Sequence, residues 1–140
     1  MIEDVFSDDF SSAQLPVLMA TKGWQNRYKE LLTWSKLVTV KQGIRKPENK
    51  VQGCSLDTWL VARQSGQLFY FAVDSDSRVV KGLAVLLMLQ VDGKTGQEIA
   101  ALDFSALMQS LDLGRHLSPS RNNGFRALQQ RIVQLVLAQT

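Results

Sequence analysis

Residues 79–91 constrain this chain more than any other stretch. Val79, Val80, Leu83, Ala84, Leu86, Leu87 and Val91 recur at helical spacing and leave a helix apolar over most of its circumference. A helix without a polar side must be wrapped by other elements, so this one is expected to be the most buried of the domain. The residues ahead of it, Asp74-Ser75-Asp76-Ser77, suit capping, because Asp and Ser oxygens accept from the free amides of a first turn. Asp92-Gly93-Lys94 ends it.

The flanking sequence supplies the wrapping. Thr58-Trp59-Leu60-Val61-Ala62 and Leu68-Phe69-Tyr70-Phe71-Ala72-Val73 are β-prone runs separated by the turn residues Gln64-Ser65-Gly66-Gln67. They predict a hairpin. A lone hairpin is marginally stable, so a third strand and a helical cover are expected, with Asn49–Gly53 as the candidate strand. From about Gly23 to Val38, Trp24, Tyr28, Leu31, Leu32, Ser35 and Val38 share one face of an amphipathic helix. Phe6 and Phe10, at i and i+4, suit a short helix laid on the domain, interrupted by Pro16. Residues 39–50 read as a loop.

Downstream, Thr95-Gly96-Gln97-Glu98 has the form of a capping box, and Leu102, Phe104, Leu107, Met108 and Leu111 continue an apolar stripe. Ser118-Pro119 opens a last helix carrying Phe125, Leu128, Ile132, Leu135 and Val136 on one face. Gly124 in its first turns costs about 1 kcal/mol relative to alanine, a cost that close approach of another backbone would explain. The expected fold is α+β: a small antiparallel three-stranded sheet packed against several helices. Residues 1–140 form one domain in this reading, with residues 1–22 a peripheral segment.

Apolar residues at 45% and charged residues at 21% are enough for a core of its own. No apolar run approaches the ~20 residues of a membrane span. Met1-Ile2-Glu3-Asp4 is acidic where a secretory signal is basic. A cytoplasmic protein with no membrane association is expected. The net charge of +3 is dispersed, and its densest group, Lys41, Arg45, Lys46 and Lys50, lacks the aromatic platforms that nucleic-acid binding uses. That loop reads as solvated, or as an edge for an acidic protein partner.

Chemistry narrows to Cys54, the only cysteine, which follows Gly53 in Val51-Gln52-Gly53-Cys54-Ser55. A glycine-preceded loop gives a thiol exposure and freedom to move, whereas a structural cysteine packs as a small hydrophobe. Gly93-Lys94-Thr95 resembles the tail of a phosphate loop, but Met88 stands where its earlier glycine is needed. One cysteine and one histidine, His116, do not fill a metal site. Two readings of the thiol remain. It is the nucleophile of a stand-alone hydrolase or transferase, with His116 as base and Asn122, Asn123 or Asp76 as orienter. Or it is a carrier, with Arg121 as a nearby cation favouring the thiolate.

Val51-Gln52-Gly53-Cys54 with Trp59-Leu60, then Asp74-Ser75-Asp76, then Val80-Lys81-Gly82-Leu83, resembles the SufE/CsdE family of sulfur-acceptor proteins. Gly23-Trp24 with Arg27-Tyr28 is similar to its first long helix, and Leu117-Ser118-Pro119-Ser120-Arg121 with Gly124 to its closing motif. The resemblance runs from about residue 23 to the C-terminus. It implies the fold of the IscU/NifU-type iron–sulfur scaffolds. It also implies a non-enzymatic partner that takes persulfide sulfur from a PLP-dependent cysteine desulfurase, SufS- or CsdA-like, stimulates it, and passes sulfur to an iron–sulfur scaffold or other acceptor. The chain itself would need no cofactor. Carried over, Cys54 is the acceptor, Gly53 gives its loop freedom, and Asp76 and Arg121 support the loop. After the cysteine the family commonly reads Gln-Ser-X-Val; here Ser55-Leu56-Asp57-Thr58 adds an apolar side chain and a negative charge. This bears on partner choice, and like-charge repulsion from Asp57 is expected to raise the thiol pKa.

Overall fold

A computed structural model describes residues 4–139. Its α-helices are α1 (Leu15–Ala20), α2 (Trp24–Trp34), α3 (Arg78–Val91), α4 (Gly96–Ala100), α5 (Phe104–Leu111) and α6 (Pro119–Gln139). The strands are β1 (Thr58–Ser65), β2 (Leu68–Ser75) and β3 (Lys94–Thr95), forming one antiparallel sheet in the order β1-β2-β3. The architecture is α+β, as the hydrophobic pattern requires.

The hairpin register runs from Thr58 opposite Ser75 to Ser65 opposite Leu68. Its turn needs a left-handed residue, and Gly66 supplies it with φ of 61°. The third strand is not Asn49–Gly53. That segment contributes a single bridge, Lys50 with Trp59, and the paired edge is the two-residue β3. Two residues suffice because Asp92 extends the pairing with its side chain. Its Oδ1 accepts from Phe71 N at 2.9 Å, next to Gly93 N donating to Phe69 O at 2.7 Å.

Helix α3 is the centre of the molecule, packed between α2 and α6 and lying on β2. Leu83, Ala84, Val85, Leu86, Leu87 and Val91 have no exposed surface. Its cap is Ser77, whose Oγ accepts from Val80 N at 3.2 Å. The crossing with α2 is made at Gly82, where an added Cβ would lie 2.3 Å from Leu31 O. The predicted first helix runs over Trp24–Trp34 and tightens into a 3₁₀ turn at Ser35–Leu37.

No helix forms over residues 4–14. The Asp4 and Asp9 carboxylates accept from Phe6 N and Ser11 N two residues on, local turns that compete with helix. Pro16 does not interrupt a helix but opens α1, a place where its missing amide costs nothing. Ala13 and Leu18 from this segment are buried. The Thr95–Glu98 capping box is present at α4, with both reciprocal bonds made. Among the described residues, no helix is long and apolar enough to cross a membrane.

Candidate functional site

The loop carrying Cys54 is closed at its base by Val51 N donating to Thr58 O at 2.8 Å and by the Lys50–Trp59 bridge. Gly53 turns it back with φ of 95°, a conformation side-chain-bearing residues rarely adopt, and its Cα faces Ala127 on α6. Cys54 is thereby half-buried, and its Sγ donates to Gly124 O at 3.7 Å. The glycine on α6 is explained here, with one correction. What approaches it is not a backbone but two side chains: an added Cβ would lie 3.3 Å from Val80 Cγ2 and 3.6 Å from Cys54 Sγ.

The thiol borders a pocket of about 310 Å³. Ser77 and Val80 at the start of α3, and Ser118, Ser120, Arg121 and Gly124 at the start of α6, line it with Ser55 and Leu56. The Ser55 and Ser120 hydroxyls are hydrogen-bonded to one another, tying the loop to α6. Leu56 is 53% exposed beside the opening, an apolar side chain offered outward.

Burial pushes the Cys54 thiol above its ordinary value, outweighing the lowering effect of the Thr58 hydroxyl. Two expectations are corrected by this. Arg121 lines the pocket, with its guanidinium 5.8 Å from the Tyr28 ring centroid, but is not among the groups that shift the thiol. Asp57 is not the cause of the raised value, because its charge is taken up by Lys50 Nζ at 2.8 Å. In this resting arrangement the sulfur is held as a thiol.

Asp76 does not line the pocket. It touches the loop through its backbone N–H, which donates to Asp57 O at 2.9 Å, while its carboxylate pairs with Arg45 at 3.0 Å. Asp74, read as a helix cap, is instead a fully buried carboxylate. It accepts from Lys41 N at 2.7 Å, Arg45 Nε at 2.9 Å and Ser75 N at 2.9 Å. Burial alone raises its pKa, but these bonds and the Arg45 charge outweigh that and hold the carboxyl below the usual carboxylate range. The Arg45 guanidinium also lies 4.5 Å over the Trp59 ring.

The basic loop is solvated only in part: Lys46 is exposed, but three of its four basic residues are ion-paired. Lys41 pairs with Asp8, Arg45 with Asp74 and Asp76, and Lys50 with Asp57. Lys41, Arg45 and Lys50 are thus counter-ions of the chain's own acids, and two of those acids, Asp57 and Asp76, meet at the end of the Cys54 loop. The signal was present in sequence as opposite charges at Lys50 and Asp57, flanking the cysteine.

His116 is not among the pocket's lining residues. Its ring stacks on Trp24, centroids 4.4 Å apart, and its Nε2 faces Asp112 at 3.7 Å. Asn122 is occupied with Gly114 O and Leu117 O. The cysteine, the histidine and the amide are not assembled as a catalytic set. Among the described residues, no three His, Cys, Asp or Glu side chains are grouped to hold a metal.

The chain is thus a single-cysteine α+β domain with its thiol beside the starts of α3 and α6. Residues 15–136 match the family described as SufE, Fe-S metabolism associated domain, and the chain belongs to that family. An uncharacterized SufE-like protein of Rhizobium etli is 37% identical over 114 residues, covering 78% of this chain and 77% of that one. A second, from Rhizobium meliloti, is 34% identical over 114 residues and covers 78% and 81%. The solution structure of a hypothetical protein from Thermus thermophilus shares the fold, with a TM-score of 0.71 over 89% of this chain and 90% of that one, at 18% identity.

Proposed function

We propose that this chain accepts sulfur on Cys54 from a PLP-dependent cysteine desulfurase and hands it to an iron–sulfur scaffold or another acceptor in the cytoplasm. The observation that carries the reading is a sole cysteine, in a chain of the SufE family, set on a glycine-turned loop beside a pocket roomy enough for one more sulfur atom. The Cys54 thiol loses its proton, and the thiolate attacks the terminal sulfur of the desulfurase persulfide. A new S–S bond forms at Cys54 as the desulfurase S–S bond breaks, and the desulfurase cysteine leaves as a thiolate that takes up the proton. No external oxidant or reductant is consumed. The pyridoxal chemistry that releases sulfur from cysteine belongs to the partner, which is stimulated because its product is removed. Gly53 gives the loop its freedom, Asp76 anchors its end, and Arg121 stands at the pocket mouth. The hydrolase reading has no comparable support, since His116 is engaged with Trp24 and Asp112.

Intact mass after incubation with a cysteine desulfurase and free cysteine tests the proposal. Added sulfur is expected, reversed by reductant and absent in Cys54→Ala. Sulfur added equally to Cys54→Ala, or none added to the natural chain while the desulfurase is stimulated, would sink the carrier mechanism.

A further inference from the structure

We propose that the buried hydroxyls of Thr58 and Ser75 form a relay that donates a hydrogen bond to the Cys54 sulfur and holds it once its proton is lost. Thr58 opens β1 and Ser75 ends β2, where the two stand opposite each other. Both are buried at the base of the Cys54 loop, where Thr58 O accepts from Val51 N. Hydroxyls in such a place need partners. The two Oγ atoms lie 2.8 Å apart, and Thr58 Oγ1 is 3.2 Å from Leu56 O. Ser75 Oγ is 3.3 Å from Asp57 O and accepts from Ser77 N at 3.1 Å. The Thr58 hydroxyl also hydrogen-bonds the sulfur, which works against burial on the thiol.

The hydroxyl protons thus have a choice of acceptors. With Cys54 protonated, the thiol donates to Gly124 O, and the hydroxyls serve the loop carbonyls of Leu56 and Asp57. When the thiol proton leaves to solvent, the sulfur has nothing to donate and becomes an acceptor. The Thr58 proton then turns from Leu56 O to the sulfur, the Ser75 proton turns to Thr58 Oγ1, and the Ser77 amide stands behind Ser75 at the start of α3. Donors aligned head to tail in this way strengthen one another. Of the charged groups near the loop, Arg121 of α6 lines the pocket, Asp57 is paired with Lys50, Asp76 with Arg45, and Lys81 of α3 approaches Asp74 at 3.9 Å. A change at Thr58 removes none of them. Valine is the residue the family commonly carries at the place of Thr58, so the relay belongs to this sequence. Its use in sulfur transfer rests on Cys54 being the acceptor; its existence does not.

The test is the alkylation rate of Cys54 in the free protein with iodoacetamide, a neutral reagent, followed against pH. Thr58→Val keeps the shape and removes the hydroxyl, and it should raise the titration midpoint by about one unit, the effect of one hydrogen bond to a charged group. Alkylation at neutral pH should slow about three- to tenfold, while the plateau at high pH does not fall, because a more basic thiolate is the stronger nucleophile. Ser75→Ala leaves Thr58 its proton but not the donor behind it, and should raise the midpoint by less. Thr58→Ser keeps a hydroxyl and should titrate close to the natural chain. A merely structural role would leave the midpoint in place and speed alkylation at every pH as the loop loosens. That outcome, a midpoint unmoved or lowered in Thr58→Val or Ser75→Ala, or a shift in Thr58→Ser as large as in Thr58→Val would overturn the relay. No desulfurase takes part, so failure here leaves the sulfur-carrier reading standing, and failure of the mass assay leaves the relay standing.

Discussion

Replacing Gly82 with alanine puts one methyl group into the crossing of α2 and α3. An ideal Cβ there would sit 2.3 Å from Leu31 O and 2.9 Å from Leu31 C, both backbone atoms. A side chain could rotate away; a carbonyl inside a helix cannot. The two helices must separate by most of an ångström, which loosens the packing around Leu31 and Leu83. Overpacking of this kind costs about 1–3 kcal/mol, and a backbone obstacle puts it at about 3. Against this, alanine in a helix interior is better than glycine by about 1 kcal/mol. The net is about 2 kcal/mol of destabilisation. For a chain of this length each kcal/mol moves the midpoint by about 3–4 °C, so thermal unfolding followed by far-UV circular dichroism should fall by about 6–8 °C. An unchanged or raised midpoint would refute the reasoning, because helix propensity would then outweigh the close crossing.

Asp74→Asn should cost about 3 kcal/mol in denaturant unfolding, the low end for breaking a buried pair, because Arg45 keeps Asp76 as a second partner. The folded Asp74 pKa is depressed, so its contribution is complete above the unfolded value of about 3.9 and is lost as pH falls toward the folded value. The acid limb of the natural chain's stability profile should therefore flatten in Asp74→Asn, and identical acid limbs would count against this role. Alkylation of Cys54 in the free protein should titrate above the ordinary value of about 8.5, since burial favours the thiol; a midpoint near 7 would show that a cation governs it after all. His116→Ala should leave sulfur uptake unchanged in the mass assay while lowering stability through the lost Trp24 stack, whereas collapse of uptake would restore the cysteine–histidine reading.

Features determined by neighbours in sequence were the legible ones. The all-round apolar α3, the hairpin turn at Gly66, the Thr95–Glu98 box and the start of α6 at Pro119 each depend on a handful of consecutive residues. Cys54 and its glycine were legible as a local motif for the same reason. The errors fall where a distant residue decides. Asp74 looks like a cap until Lys41 and Arg45 fold onto it. β3 is two residues long, and the next amide of β2, Phe71 N, is met by the Asp92 side chain instead of a strand. Lys41, Arg45 and Lys50 look solvated until Asp8, Asp57, Asp74 and Asp76 meet them from separate segments. Gly124 announced a close contact in sequence, and only the assembled helices could say that the contact was with Val80 and the thiol.

The half-buried placement of Cys54 beside Gly124 also governs its chemical lifetime. Peroxides oxidise thiolates far faster than thiols, and a sulfenic acid is rescued when a second cysteine closes a disulfide with it. This chain has no second cysteine, so oxidation at Cys54 finds no internal partner and can continue to the irreversible sulfinic and sulfonic acids. Keeping the sulfur protonated at rest slows that first step. The cost of a raised pKa, a less nucleophilic sulfur, is thus matched by slower loss of the thiol to oxidation.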